Sequence, residues 1–246
     1  MLPAPARVDA VMLEARATQL FRRPRAGAAE PAHVELDAGD AAATPAFVRA
    51  ACARALGLAG GTPSAAVIVR PRLVSVAARE LAGSDVRVAA ELDGTCDAAA
   101  ALADGAGEIE FALDAATLLG GRPADAYQRV AALKRACGHA PLKVLIDARG
   151  LGSYAAVRRA ADVALAAGAD FLKTACATSA SRLPALVLLL SEALRAHGRR
   201  GGGTAGLAIA GRPAIAPFAA GYREIVRETL GPEHVGPDRF RVVAFA

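Results

Sequence analysis

The sequence has 246 residues, of which 54% are hydrophobic and only 4% aromatic, and its formal net charge is +5. This length suits one barrel-sized domain with a large aliphatic core. No stretch reaches the roughly 20 uninterrupted apolar residues of a membrane span. The arginines are scattered along amphipathic segments without aromatic residues between them, so we expect neither a nucleic acid nor a membrane as partner.

The cysteines and histidines give no sign of a metal site. The four cysteines show no CxxC spacing, and the four histidines lie far apart along the chain. We therefore expect no disulfide framework, no metal and no cofactor.

The N-terminal segment 9–25 carries apolar residues at helical spacing with arginines between them. Asp9 and Glu14 argue against a transit peptide, and the segment has no apolar core of the secretory type. We expect a helix that covers the bottom of the domain, in a cytoplasmic protein.

From residue 33 onward, short apolar runs alternate with helical segments rich in Ala, Arg and Leu. The predicted strands are 33–37, 65–70, 86–92, 108–113, 142–147, 171–177, 205–210 and 240–245. The predicted helices are 44–56, one that begins near 71, 95–103, 123–137, 153–167, 183–197 and 217–230. Strands that alternate with helices pair in parallel through right-handed crossovers. Eight of them favour a closed (β/α)8 barrel with its site at the carboxyl ends of the strands. A doubly wound open sheet is the alternative, although no GxGxxG follows an early strand.

The predicted organisation is a single domain over 1–246. An N-terminal helix and linker occupy 1–30, and the barrel occupies 33–246. The sequence pattern includes no helix after the eighth strand, which would leave the outer faces of the first and eighth strands open. We expect the N-terminal helix or a second subunit, in a homodimer, to cover them.

Lys173 lies in the middle of an apolar strand, where lysine is rare unless it is paired or functional. Only Lys134, Lys143 and Lys173 among the 29 basic residues are lysines. A bias this strong towards arginine favours a lysine whose amine must lose its proton, because guanidinium stays protonated. The alternative is a strand-end lysine whose head group reaches water.

The segment 168–174, Gly-Ala-Asp-Phe-Leu-Lys-Thr, resembles the Schiff-base motif of the deoxyribose-phosphate aldolase family. These are class I aldolases with a (β/α)8 barrel that join acetaldehyde to glyceraldehyde 3-phosphate. A weaker resemblance extends over about 33–240. It implies that Lys173 forms an imine with a small aldehyde or deoxy-sugar (phosphate) substrate, and that Thr174 contacts the substrate. A class I aldolase needs a neutral lysine, which requires a pKa about 3 units below its ordinary value.

Two further positions match the family. Glu110 stands where the family has an aspartate that shuttles a proton through water, and Lys143 stands at a family lysine in the fifth strand. The resemblance makes both catalytic candidates, with Lys143 holding Glu110 in place. The alternatives are a strand-end Glu110 paired with an arginine, and a purely structural ion pair at Lys143.

Other positions depart from the family. Ala208 replaces the lysine that lowers the pKa of the catalytic amine, so burial alone would have to supply a neutral Lys173. The Gly-Gly pair that helps to bind phosphate is Gly211-Arg212 here, and Arg212 either grips an anion or is a solvated loop residue. The serine turn after the eighth strand, where the family holds phosphate, is absent from the sequence.

Three interpretations follow. The first is an aldolase with an imine at Lys173, which depends less on phosphate than the family does. The second is a degenerate barrel kept as a binding or assembly protein. The third is a small-molecule-binding barrel in which Lys173 is an ordinary ion-pair residue.

Overall fold

The computed structural model shows eight parallel strands that close into a barrel in sequence order. It describes residues 2–4, 6–22, 33–57, 63–93, 97–174, 182–211 and 218–246. The strands are β1 Val34–Asp37, β2 Ala66–Val69, β3 Arg87–Leu92, β4 Glu108–Ala112, β5 Leu142–Ile146, β6 Phe171–Thr174, β7 Gly206–Ile209 and β8 Phe240–Phe245. All eight predicted strands are confirmed, and because β1 pairs with β8 the open-sheet alternative is wrong.

The helices lie between the strands, as the (β/α)8 pattern predicts. They are α1 Ala10–Phe21, α2 Pro45–Ala55, α3 Val74–Glu80, α4 Ala98–Ala103, α5 Ala115–Leu119, α6 Pro123–Cys137, α7 Ala148–Leu151, α8 Tyr154–Ala166, α9 Leu183–Arg199 and α10 Ala219–Leu230. Single 3-10 turns occupy Pro71–Leu73 and Pro232–His234. No helix in the described chain combines the length and apolar character that crossing a bilayer requires.

Two short helices were not predicted. Asp114 begins α5 and Asp147 begins α7, and each carboxylate accepts hydrogen bonds from backbone N–H groups of the first turn. Helices of five and four residues are too short to show a helical period, so only their N-cap residues could have indicated them. The predicted end of the sixth strand, 175–177, lies outside the described residues.

The N-terminal helix is not where the sequence suggested. Helix α1 packs against α9 and α10, rather than across β1 and β8 or the bottom of the barrel. Its buried residues Leu13, Ala17 and Leu20 follow one face of the helix. Phe21 meets Tyr222 of α10 with ring centroids 5.0 Å apart. An apolar stripe of this kind fits the groove between two helices, and the prediction overlooked that barrel helices offer such grooves.

The barrel interior contains both apolar and charged side chains. A small apolar cluster inside it contains Ala66, Ile68, Ala89, Ala210 and Val243. The buried charged side chains are Glu35, Glu108, Glu110, Lys143, Asp162, Lys173 and Arg241. All but Asp162 of these charges lie on strands, two residues apart where one strand carries two, so they share the inward face of the barrel. The candidate site lies among these charged side chains of the strands.

Candidate active site

Lys173 lies inside the barrel near the carboxyl end of β6. Its side chain is only 2% exposed. In the register of the sheet it stands beside Leu145 of β5 and Ala208 of β7. The ammonium Nζ donates a hydrogen bond of 2.6 Å to Oε2 of Glu110 on β4. The sequence-predicted amine and carboxylate are thus in direct contact.

Glu110 lies between two lysines. Its other oxygen, Oε1, is 2.9 Å from Nζ of Lys143. Glu110 and Lys143 are register partners on the neighbouring strands β4 and β5, so their side chains point into the barrel side by side. Glu110 is therefore paired with two lysines rather than with the arginine of the alternative, and the catalytic roles of Glu110 and Lys143 stay predictions.

A second layer of buried charges lies behind this group. Lys143 Nζ is 2.5 Å from Glu35 Oε1 and 2.9 Å from Glu108 Oε2. Arg241 Nη1 donates to the same two carboxylates at 2.8 and 2.9 Å. Its guanidinium also lies 4.8 Å from the ring centroid of Phe171. Three buried carboxylates thus face three buried cations.

Sequence reasoning missed Glu35, Glu108 and Arg241. The available signal was a charged residue at every second position of an otherwise apolar strand, as in Glu108 and Glu110 of β4. Such a pattern predicts charges that face a barrel interior, where each must find a partner.

The electrostatics of Lys173 reflect two opposed effects. Burial by itself lowers the pKa of Lys173, but the negative charges of Glu110 and Glu35 outweigh burial and raise it. Burial acts in the direction that the sequence suggested, yet it does not produce a neutral amine. The raised pKa of Lys173 favours its ammonium form, and its Nζ is directed at Glu110.

The pKa of the Glu35 carboxylate is lowered by the neighbouring cations. Burial opposes its charge, but Lys143 and Lys173 lower the pKa of Glu35 to about 2. Glu35 thus supplies negative charge that acts on both lysines.

A cavity of about 290 Å³ opens beside Lys173 at the carboxyl ends of the strands. Acidic, basic, aromatic and small or aliphatic residues line it: Asp37, Gly39, Asp40, Phe47, Arg70, Glu91, Leu145, Lys173, Phe245 and Ala246. Among the described residues, no group of three His, Cys, Asp or Glu side chains is arranged to hold a metal ion. The arrangement is suited to chemistry at the amine of Lys173.

The three predicted substrate-binding residues are Thr174, Gly211 and Arg212, and the structure describes the first two. The hydroxyl of Thr174 donates to the carbonyl of Ala210 and accepts from its N–H, both at 2.7 Å, so it ties β6 to β7. Gly211 is buried just after β7. Arg212 lies outside the described residues. Substrate contacts by these three residues stay predictions.

Replacing Lys143 by methionine should lower the free energy of unfolding by about 3–5 kcal/mol, because it leaves buried carboxylates uncompensated. Urea unfolding followed by circular dichroism measures this. The matched control is Lys134→Met. Lys134 pairs with Asp170 at 2.5 Å, but these side chains are 27% and 38% exposed, so the loss should stay below about 1 kcal/mol. Equal losses in the two variants would contradict the account.

Comparison with known proteins finds similarity to aldolases. The family model for DeoC/LacD family aldolases matches residues 66–184. The deoxyribose-phosphate aldolases of Mus musculus and Homo sapiens are 32% and 30% identical to this chain over 199 residues. The matched region is 75% of this chain and 62% of each relative, so the chain spans less than two thirds of their length.

Two solved structures of aldolase type are similar to this chain. A Toxoplasma gondii ME49 protein, described provisionally as a deoxyribose-phosphate aldolase, superposes with a TM-score of 0.73 at 27% identity, covering 96% of this chain and 92% of that one. The tetrameric deoxyribose phosphate aldolase of Aeropyrum pernix superposes with a TM-score of 0.65 at 17% identity, covering 98% and 94%. The second similarity supports the fold alone.

The closed (β/α)8 barrel, with a buried lysine among carboxylates beside a cavity at the carboxyl ends of its strands, agrees with these similarities to aldolases. The chain is similar to the DeoC/LacD family of aldolases over residues 66–184, and the proteins similar to it include deoxyribose-phosphate aldolases.

Proposed function

We propose that the protein is a class I aldolase that reversibly cleaves a 2-deoxy sugar, or its phosphate, into acetaldehyde and a shorter aldehyde. Lys173 would carry the substrate as an imine. The observation that supports this most directly is the 2.6 Å hydrogen bond between Lys173 Nζ and Glu110 Oε2, next to an open cavity. A nucleophile within hydrogen-bond reach of its proton acceptor is the arrangement that covalent catalysis requires.

In the first half of the reaction, the Lys173 ammonium passes one proton to Glu110 and becomes a neutral amine. The nitrogen lone pair adds to the C1 aldehyde of the open-chain sugar and forms a carbinolamine. The proton held by Glu110 goes to the C1 hydroxyl, which leaves as water. The product is an iminium ion on Lys173, and Glu110 is ionised again.

In the second half, the C2–C3 bond breaks. Glu110 takes the proton of the C3 hydroxyl, and the electron pair of the C2–C3 bond moves into the iminium to give an enamine. The C3 carbon leaves as the aldehyde of the shorter product. Glu110 then protonates C2 of the enamine, and hydrolysis of the new iminium releases acetaldehyde and restores Lys173.

The raised pKa of Lys173 is compatible with this sequence of steps. The iminium carries its positive charge at the same nitrogen as the ammonium. Glu110 and Glu35, which raise the pKa of Lys173 against the effect of burial, therefore also stabilise the iminium. The site has less free amine at rest but a more stable intermediate.

The alternative is a binding or assembly protein that keeps the fold without turnover. Two observations support this alternative. The pKa of Lys173 is raised, and Ala208 stands where the family has the lysine that would lower it. It is less favoured because Lys173 keeps its carboxylate partner, the second lysine and an adjoining cavity, which an unused site has no need to retain.

The direct test is the release of acetaldehyde from 2-deoxyribose and from 2-deoxyribose 5-phosphate. Acetaldehyde is measured through NADH consumption by added alcohol dehydrogenase. We expect release from at least one of the two sugars. Folded protein that releases none from either sugar would contradict the proposal.

Assembly and compartment are part of the proposal. We propose a homodimer in the cytoplasm. Val11 and Met12 of α1 are 77% and 66% exposed, which leaves an apolar face available to a second subunit. Light scattering of the purified protein measures the state, and a monomer at micromolar concentration would contradict the dimer.

A further inference from the structure

Glu91 is a carboxyl group of the cavity that the proposed steps do not use. It lies on β3 two residues after Ala89, which faces the barrel interior, so its side chain also points inward. It lines the cavity together with Lys173. In the register of the sheet its partner on β4 is Glu110. Glu91 is therefore placed beside the residues of the proposed reaction.

Glu91 and Glu110 differ in what they can reach. Glu110 is 1% exposed and lies between Lys143 and Lys173. The side chain of Glu91 is 26% exposed and lines the cavity. A substrate held in the cavity can therefore touch Glu91 without displacing either lysine.

Two other acidic residues of the cavity hold the turn after β1. Asp37 and Asp40 each accept a hydrogen bond from a backbone N–H two residues further on, at 2.9 and 2.7 Å. Oε1 of Glu91 instead lies 3.6 Å from Nη1 of Arg70, which is longer than a hydrogen bond. Arg70 thus acts on Glu91 through its charge rather than through a short hydrogen bond.

The neutral form of Glu91 is favoured by its surroundings. Burial raises the pKa of Glu91. The charges of Arg70 and Lys173 lower this pKa, those of Glu110 and Asp37 raise it, and the net result is a rise. Glu91 therefore holds its proton up to a higher pH than an ordinary glutamate does.

The proposed reaction needs a step that comes before the imine. In water a 2-deoxy sugar exists almost entirely as a cyclic hemiacetal, in which C1 is not a carbonyl group, so Lys173 can attack only after the ring has opened. Opening requires that one proton leaves the C1 hydroxyl and that another reaches the ring oxygen. A neutral carboxylic acid can do both, because one of its oxygens donates a proton while the other accepts one.

We propose that Glu91 opens the ring of the cyclic sugar beside Lys173, so that the protein has a ring-opening activity besides aldol cleavage. The proton of Glu91 goes to the ring oxygen, while the bond between C1 and that oxygen breaks and leaves its electron pair on the oxygen. The proton of the C1 hydroxyl goes to the second oxygen of Glu91, and C1 becomes the aldehyde. Glu91 ends with one proton, as it began. The inference rests on the proposed function, because it supplies the open-chain substrate of that reaction.

The test measures ring opening apart from cleavage. Crystalline 2-deoxyribose is dissolved, and the interconversion of its anomers, which passes through the open chain, is followed by proton NMR with and without the protein. The wild-type protein should accelerate this interconversion. Glu91→Gln should reduce the acceleration at least about tenfold, because an amide cannot exchange the proton of a positioned acid–base group. Circular dichroism checks the fold, and Glu91→Ala provides a second variant.

The matched control is Glu80→Gln. Glu80 is also paired with an arginine, Arg49, at 3.4 Å, but these side chains are 41% and 55% exposed on the surface. The same exchange there removes the same charge without touching the cavity, so the wild-type acceleration should remain.

The pH dependence identifies the active form of Glu91. The acceleration by the wild-type protein should fall as the pH rises from 5 to 9, because Glu91 then loses the proton that it must donate. The inference is overturned if folded wild-type protein gives no acceleration, if Glu91→Gln accelerates as well as the wild type, or if the acceleration rises with pH. Acceleration without any acetaldehyde release would instead overturn the proposed cleavage and leave ring opening standing.

Discussion

Substitution of Lys173 by arginine should reduce acetaldehyde release by at least about 10⁴-fold, because the only nucleophile of the proposed reaction is lost. Arginine keeps a positive charge beside Glu110, so the ion pair survives, but guanidinium cannot give up its proton to attack a carbonyl. The kcat for 2-deoxyribose cleavage measures the effect, and near-ultraviolet circular dichroism checks the fold. Lys173→Met provides a second variant in case the larger guanidinium disturbs the barrel.

The control for Lys173→Arg is Lys134→Arg. Lys134 pairs with Asp170 on the outside of the barrel, so the same exchange there should leave kcat within about twofold of wild type, as for most surface substitutions. More than 1% of wild-type activity in folded Lys173→Arg, or a comparable loss in Lys134→Arg, would contradict the role of Lys173.

Substitution of Glu110 by glutamine should reduce turnover by about 10²–10⁴-fold, the usual contribution of a positioned acid–base group. The same change should make the imine form more readily at lower pH. Burial lowers the pKa of Lys173, and the negative charge of Glu110 raises it. Removing that charge therefore lowers the pKa of Lys173. The neutral amine then becomes available at a lower pH than in the wild type.

The Glu110→Gln variant should thus turn over more slowly although its imine forms at lower pH. These two results together separate a catalytic role of Glu110 from a structural one. If Glu110 only supplied negative charge beside Lys173, its loss would shift the pH profile of imine formation without reducing kcat to this extent. The profile is measured by borohydride trapping with acetaldehyde between pH 6 and 10, beside the kcat of cleavage. Unchanged turnover, or an unchanged trapping profile, would contradict the assignment of Glu110.

Most of the fold could be predicted from the sequence. Alternating apolar runs and helical segments indicated eight parallel strands, and all eight are present in the predicted places. Helix α1 was misplaced because an apolar stripe indicates that a helix is covered but does not indicate what covers it. Leu13, Ala17 and Leu20 fit a groove between helices as well as a sheet.

The candidate site could be predicted only in part. Lys173, Glu110 and Lys143 were found because a contiguous motif and two neighbouring strands carry them. Glu35 and Arg241 were missed because they belong to β1 and β8, which reach the centre of the network only when the barrel closes. The raised pKa of Lys173 was missed because the sequence analysis considered burial without the negative charges of Glu110 and Glu35, which outweigh it.

The charged residues that line the cavity beside Lys173 could not be predicted from the sequence either. Asp37, Arg70 and Glu91 lie at or just beyond the ends of three different strands, where a charged residue is common and carries no signal of its own. Only the closed barrel shows that these ends meet beside Lys173.

The most direct test of the imine is to trap it. The protein is incubated with acetaldehyde at pH 7 and at pH 9, reduced with borohydride, and mapped by peptide mass spectrometry. Lys134 serves as an internal reference, because it is the more exposed amine. We predict an ethyl group on Lys173 before Lys134 is labelled, and faster labelling at pH 9, because a raised pKa leaves less neutral amine at pH 7. Labelling of Lys134 with none on Lys173, from folded protein at either pH, would contradict the assignment of Lys173 as the imine-forming residue.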